Sequence, residues 1–147
     1  MIANGIDPKP REFGPVTQTD IVRFAGAGGD FNPLHHDPAR ARAAGFDAPI
    51  AMGQFTAGLL AGWLTDSFGV ENLRSFEVRF TSPVQIGDLV QLTGRVTEVR
   101  DGVAHLEVAA LVSGKPVVSG TATLLDFGRT IRPHSVHVAS PRDSHPA

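Results

Sequence analysis

The chain has 147 residues, a formal net charge of −2 from 13 basic and 15 acidic side chains, and no cysteine. At this length the expectation is one domain, burying about two thirds of its unfolded surface around a core. The lack of cysteine excludes disulfides, thiolate nucleophiles and thiolate metal sites, and the scattered charges offer no basic stripe for a nucleic-acid partner.

The first ten residues carry Asp7 and two prolines where an export signal would carry an apolar run, so the expected location is the cytoplasm. The longest uncharged stretch, residues 48–65, is short for a bilayer span and contains Pro49 and several glycines, so no membrane partner is expected. Proline, glycine and few packing residues mark 1–14 as an N-terminal tail. Residues 128–147, with His134, His137 and His145 among prolines, read as a flexible C-terminal tail. The spacing of His134 and His137 suits a metal, but no third ligand is evident and the expectation is no metal site. The working domain is therefore placed at 15–127.

The domain opens on Thr17-Gln18-Thr19-Asp20, a capping-box-like start to a short helix that buries Ile21, Val22 and Phe24 and ends at Gly26. Gly28 and Gly29 lead into an ordered loop, Asp30-Phe31-Asn32-Pro33-Leu34-His35-His36, because Pro33 biases Asn32 away from helical angles. A second short helix is bounded by Asp37 as N-cap, Pro38 in its first turn and Gly45 beyond its end. From Gly53 to Phe68 the apolar residues Phe55, Leu59, Leu60, Trp63, Leu64 and Phe68 fall at helical spacing, which predicts a buried helix. Its small residues Ala57, Gly58, Ala61 and Gly62 are expected to admit a sheet close to the helix backbone.

Beyond this helix the pattern changes to period two. Phe76, Val78 and Phe80 alternate with Ser75, Glu77 and Arg79; Val90, Leu92 and Val96 continue after Pro83 and Gly87-Asp88. Asp101-Gly102 is a hairpin signal, followed by a strand with Ala104, Leu106, Val108, Ala110 and Val112 on one face. Gly114-Lys115 is expected to turn the chain into a last strand carrying Val118, Ala122 and Leu124. One long buried helix followed by antiparallel strands indicates an α+β fold, the antiparallel sheet wrapped around the central helix.

The chemistry concentrates in residues 30–36, which hold a carboxylate, a carboxamide and two imidazoles. Adding water to a double bond beside a thioester carbonyl needs a base for the water, an acid for the α-carbon, and donors for an enolate-like oxygen. Asp30 and His35 can share the first two roles, with Asn32 orienting one of them or the water. Gly53, at the start of the buried helix, presents free N–H groups and the positive end of the helix dipole for the third. The bland alternatives are that Asp30 caps a turn and Asn32-Pro33 initiates one. His36 and His105 read as solvent-facing, and Arg40, Arg42 and Arg79 suit a solvated face as well as a phosphate.

Gly29-Asp30-Phe31-Asn32-Pro33-Leu34-His35 follows the G-D-x-N-P-[aliphatic]-H signature of the MaoC-like or (R)-specific enoyl-CoA hydratases, also called hydratase 2. The chain resembles this family through Asp37-Pro38 to Pro49-Ile50-Ala51-Met52-Gly53, where the family usually reads [aliphatic]-A-H-G. The resemblance covers about residues 15–127. It implies a single hot-dog fold, Asp30 and His35 as a catalytic dyad supported by Asn32, and Gly53 in the oxyanion site. It also implies acyl-CoA or acyl-carrier-protein substrates, no cofactor or metal, and homodimers, higher homo-oligomers or hetero-oligomers. Met52 stands where many relatives have histidine and Gly28 where many have serine, which bears on rate and substrate preference. Two rivals remain at this stage. One is an acyl-thioester-binding or structural subunit of a hetero-oligomeric hydratase. The other is a hot-dog thioesterase, disfavoured because residues 54–65 hold no carboxylate.

Overall fold

The computed structural model describes residues 7–125. Its core is a five-stranded antiparallel sheet in the order β1-β3-β4-β5-β2. The strands are β1 (Arg11–Phe13), β2 (Leu73–Phe80), β3 (Val90–Arg100), β4 (Val103–Val112) and β5 (Lys115–Leu125). Three helices accompany them: α1 (Gln18–Gly28), α2 (Pro38–Ala43) and α3 (Gly53–Phe68). This is the hot-dog arrangement, with the sheet curled over α3. No helix among the described residues is long and apolar enough to cross a membrane.

Period two decides the sheet. Ala104, Leu106, Val108 and Ala110 are buried on one face of β4 while His105 and Glu107 are exposed on the other, as the alternation predicts. The hairpin between β3 and β4 turns at Asp101 and Gly102, whose φ values of 52° and 74° are those of the turn that matches strand twist. The next turn falls at Ser113-Gly114, φ 50° and 75°, one residue earlier than the sequence suggests, because Lys115 is already paired with Val112.

Helix α3 packs with Leu60, Trp63 and Leu64 fully buried against the sheet. Each such side chain contributes roughly 1.5–3 kcal/mol by leaving water. Gly94 on β3 makes room for Trp63: a Cβ there would lie 3.1 Å from the indole Cη2. The close approach therefore uses a glycine of the sheet. The two glycines of α3's small residues do not meet the sheet, contrary to expectation, although Ala57 is buried; Gly58 faces Phe24 of α1 and nothing lies within 4 Å of the Cβ position of Gly62. Large side chains gain more by burial, so they take the inward face.

Three further expectations change. The N-terminal tail assigned to 1–14 includes residues built into the domain: β1 pairs with β3, the Val96 N–H donates to Asp7 Oδ1 at 2.8 Å, and the Trp63 indole donates to Lys9 O at 3.0 Å. Phe13 also packs edge-on against Phe55, centroids 5.8 Å apart. A three-residue edge strand beside prolines has too little periodicity to be read locally. Helix α1 has the expected capping box but continues to Gly28, and its buried residues are Ile21 and Ala25 while Val22 is exposed. Starting the helix at Gln18 turns Val22 about 100° from the Ile21 face. The C-terminal tail proposed for 128–147, with its histidines, and residues 126–127 of the proposed domain lie outside the described residues.

Candidate active site

Asp30 is placed by the end of α1. Gly29 adopts the left-handed conformation (φ 69°, ψ 19°), and the Asp30 N–H returns to Ala25 O at 3.1 Å. From there the loop organises itself: Asp30 Oδ1 accepts the Asn32 N–H at 3.2 Å, and Asn32 Oδ1 caps the 3-10 turn Pro33–His35 by accepting the Leu34 N–H at 3.1 Å. Pro33, at the first position of that turn, has no N–H to satisfy. Asn32 thus shapes the turn that carries His35 and does not line the cavity.

His35 is held from several sides. Its side chain is 10% exposed, against 47% for Asp30. Gln18 Nε2 donates to His35 O at 2.9 Å, and the Ile50 N–H donates to Leu34 O at 3.1 Å. His35 Nδ1 lies 2.8 Å from Ile50 O. A carbonyl only accepts, so Nδ1 carries the proton, and in neutral His35 the lone pair sits on Nε2. Nε2 stands 3.5 Å from Asp30 Oδ2, which is long for a direct hydrogen bond and brings two proton-accepting groups to the same point.

That point opens on a cavity of about 500 Å³, with Asp30 and His35 at one side and Met52, Gly53, Thr56 and Phe80 among its walls. The cavity also meets the N-terminus of α3. Its N-cap, Met52, is buried and makes no side-chain cap bond; the Phe55 N–H donates to Met52 O at 3.0 Å, and the Gly53 and Gln54 N–H groups are left to another acceptor. Gly53 is needed for space: a Cβ there would lie 2.9 Å from Cδ1 of Phe80. Among the described residues no three His, Asp or Glu side chains are grouped to hold a metal ion. His36 and His105 are exposed, as are Arg40, Arg42 and Arg79. Gly28, the last residue of α1, borders open space.

Sequence reasoning missed Gln18, the Ile50 carbonyl and Phe80. The capping box places Gln18 at the start of α1, but no local pattern ties it to a backbone carbonyl 17 residues away.

Residues 3–123 match the model of the MaoC like domain. The chain belongs to that family. Over 113 residues it is 34% identical to 3-hydroxyacyl-thioester dehydratase Z of Mycobacterium tuberculosis, covering 73% of this chain and 74% of the relative. It is 32% identical over 111 residues to the (R)-specific enoyl-CoA hydratase of Aeromonas caviae, covering 74% of each. Of 3-hydroxyacyl-thioester dehydratase X from M. tuberculosis it spans only 39%, at 32% identity and with 78% of this chain covered. In structure it superposes on a chain of the ChsH1-ChsH2 complex from M. tuberculosis with a TM-score of 0.78 and 28% identity, covering 86% of this chain and 99% of that one. Relatives bearing these names are hydro-lyases, and this MaoC-like protein is an enzyme of that class.

Proposed function

We propose that this MaoC-like protein is an (R)-specific 2-enoyl-thioester hydratase, equally a 3-hydroxyacyl-thioester dehydratase in reverse, acting on acyl-CoA or acyl-carrier-protein substrates in the cytoplasm. The observation that carries the proposal is the locked tautomer of His35, which turns the Nε2 lone pair toward Asp30 at the mouth of a cavity that also meets the uncapped start of α3.

In the hydration direction a water molecule between Nε2 and the Asp30 carboxylate loses a proton to the pair as its oxygen bonds to the β-carbon. The π electrons move toward the α-carbon and the thioester oxygen, and the first-turn N–H groups of α3, Gly53 foremost, hold the developing negative charge. The pair then returns the proton to the α-carbon, so protons balance over the cycle. Coenzyme A or the carrier protein enters as part of the substrate, and the proposal assigns no metal or other cofactor. The names of the relatives, a 3-hydroxyacyl-thioester dehydratase and an (R)-specific enoyl-CoA hydratase, support the substrate class. A thioesterase is disfavoured because the carboxylate of α3, Asp66, is exposed near the opposite end and paired with Arg11 at 2.6 Å.

Hydration of crotonyl-CoA, followed by loss of enoyl-thioester absorbance, tests the reading. Wild-type turnover with a loss of at least about a hundredfold in both folded Asp30→Asn and His35→Ala supports it. An inert wild type on crotonyl-CoA and longer enoyl thioesters overturns it for the isolated chain. We further infer that the protein works as a homo-oligomer of hot-dog subunits; the likeness to a chain of the ChsH1-ChsH2 complex makes a hetero-oligomer the alternative.

A further inference from the structure

Among the described residues two polar side chains are buried, His35 at 8% exposure and Thr56 at 2%, and both line the same cavity. His35 has its work in the pair with Asp30. Thr56 has none in that scheme. It stands inside α3, three residues past Gly53 and on the same helix face. Its hydroxyl makes no hydrogen bond to a described residue. Every side-chain nitrogen or oxygen sealed from solvent there does have a partner, so the unpartnered Thr56 hydroxyl opens on the cavity. The carbonyl one turn back, which a helical threonine hydroxyl can take, is Met52 O, and it already accepts the Phe55 N–H at 3.0 Å.

The wall around this hydroxyl is otherwise apolar. Ala51, Met52, Val84 and Val118 are buried along it, whereas Thr81 and Ser82 are exposed at the rim. An alkyl chain filling the inner end would strip water from the hydroxyl and return no hydrogen bond, which is costly for a buried polar group. Valine has the same shape and would serve an alkyl chain better.

We propose that Thr56 is a specificity residue whose hydroxyl bonds an oxygen carried on the acyl chain, so that the site favours thioesters oxygenated beyond the β-carbon over plain alkyl ones. The hydroxyl both donates and accepts, so a hydroxyl, ether or carbonyl oxygen on the chain satisfies it. Neighbours three apart on a helix face stand about 5–6 Å from each other. With the thioester oxygen at the Gly53 N–H and the β-carbon beside Asp30 and His35, that span brings the fifth or sixth atom of an extended acyl chain to Thr56. The inference deepens the proposed function and rests on its placing of an acyl thioester in this cavity.

Titration calorimetry of the full chain with two saturated, unreactive thioesters provides the test. Hexanoyl-CoA is compared with 4-methoxybutanoyl-CoA, its isostere with oxygen as the fifth chain atom. Relative to the wild type, the ratio of their dissociation constants is expected to shift about tenfold or more against the ether in Thr56→Val, which keeps the shape and removes the hydroxyl. In Thr56→Ser it should stay within about threefold of the wild-type ratio. Thr56→Ala carries the same comparison if the valine variant does not fold. A ratio unchanged by loss of the hydroxyl overturns the role of Thr56, as does a wild type that binds neither thioester. Because the readout needs no turnover, the two proposals fail separately. A chain inert toward crotonyl-CoA that still shows the shift loses the hydratase reading and keeps the Thr56 contact; an active chain without the shift loses the contact alone.

Discussion

Phe80 rests its ring on the first residue of α3, so that a methyl group at Gly53 would stand 2.9 Å from Cδ1. The strand end and the helix start therefore meet with no room for a side chain. Gly53→Ala is expected to displace the half-exposed ring while leaving the fold intact, since alanine favours a helix over glycine by up to about 1 kcal/mol. Activity on crotonyl-CoA should fall by roughly tenfold or more, with Tm unchanged or slightly raised. Adding Phe80→Ala should recover part of the loss, a coupling readable in a double-mutant cycle. Equal losses in the single and double variants would refute the steric account.

Gln18 acts on His35 only through the backbone, by the 2.9 Å bond to His35 O. Removing it in Gln18→Ala should destabilise the protein by about 1 kcal/mol and lower kcat several-fold with little change in KM. A change confined to KM would instead place Gln18 against the substrate.

Asn32 is expected to behave as a cap. Asn32→Ser keeps an oxygen acceptor for the Leu34 N–H and should retain most activity, whereas Asn32→Ala should cost about 1 kcal/mol of stability and loosen the turn bearing His35. If the serine variant were as impaired as the alanine variant in kcat while equally stable, the amide would have a direct part in the chemistry.

Truncation of residues 1–14 is expected to be severe, because it removes β1, the Lys9 carbonyl that accepts the Trp63 indole N–H, and the Phe13 contact with Phe55. The smaller change Trp63→Phe should cost about 1–3 kcal/mol in urea unfolding through the lost bond and packing. A truncated chain with unaltered Tm would return these residues to a tail.

Acid stability should carry a signature of Asp37. Backbone N–H donors from Arg40 and Ala39 hold its carboxyl below the 3.8 of a free aspartate. A depressed folded value means the contribution is complete above the unfolded value and is lost as pH falls through the folded one, so the window lies below about pH 4. Asp37→Asn keeps an acceptor at the N-cap without a titrating charge, and its Tm should fall less steeply than that of the wild type below pH 4.

Much of this was legible in the sequence because it is local. The Asp30-to-His35 loop is written in glycines and a proline whose backbone limits act within a few residues; α3 is written in a helical run of large apolar residues, and the strands in strict alternation. Asp101-Gly102 names its own turn through the positive φ both residues take. Those patterns decide the α+β class and which segment bears the carboxylate and imidazole.

Other features depend on contacts between segments distant in the chain, which only the tertiary structure decided. The Ile50 carbonyl selects the tautomer of His35 from 15 residues away, and Gln18 fixes the same residue from 17. Burial chose the large side chains of α3 for the sheet and left its glycines, Gly58 and Gly62, away from it, and β1 exists because β3 supplies its partner. Hydrogen-bond direction and burial are settled by what arrives opposite a group in space, and no periodicity along the chain encodes that.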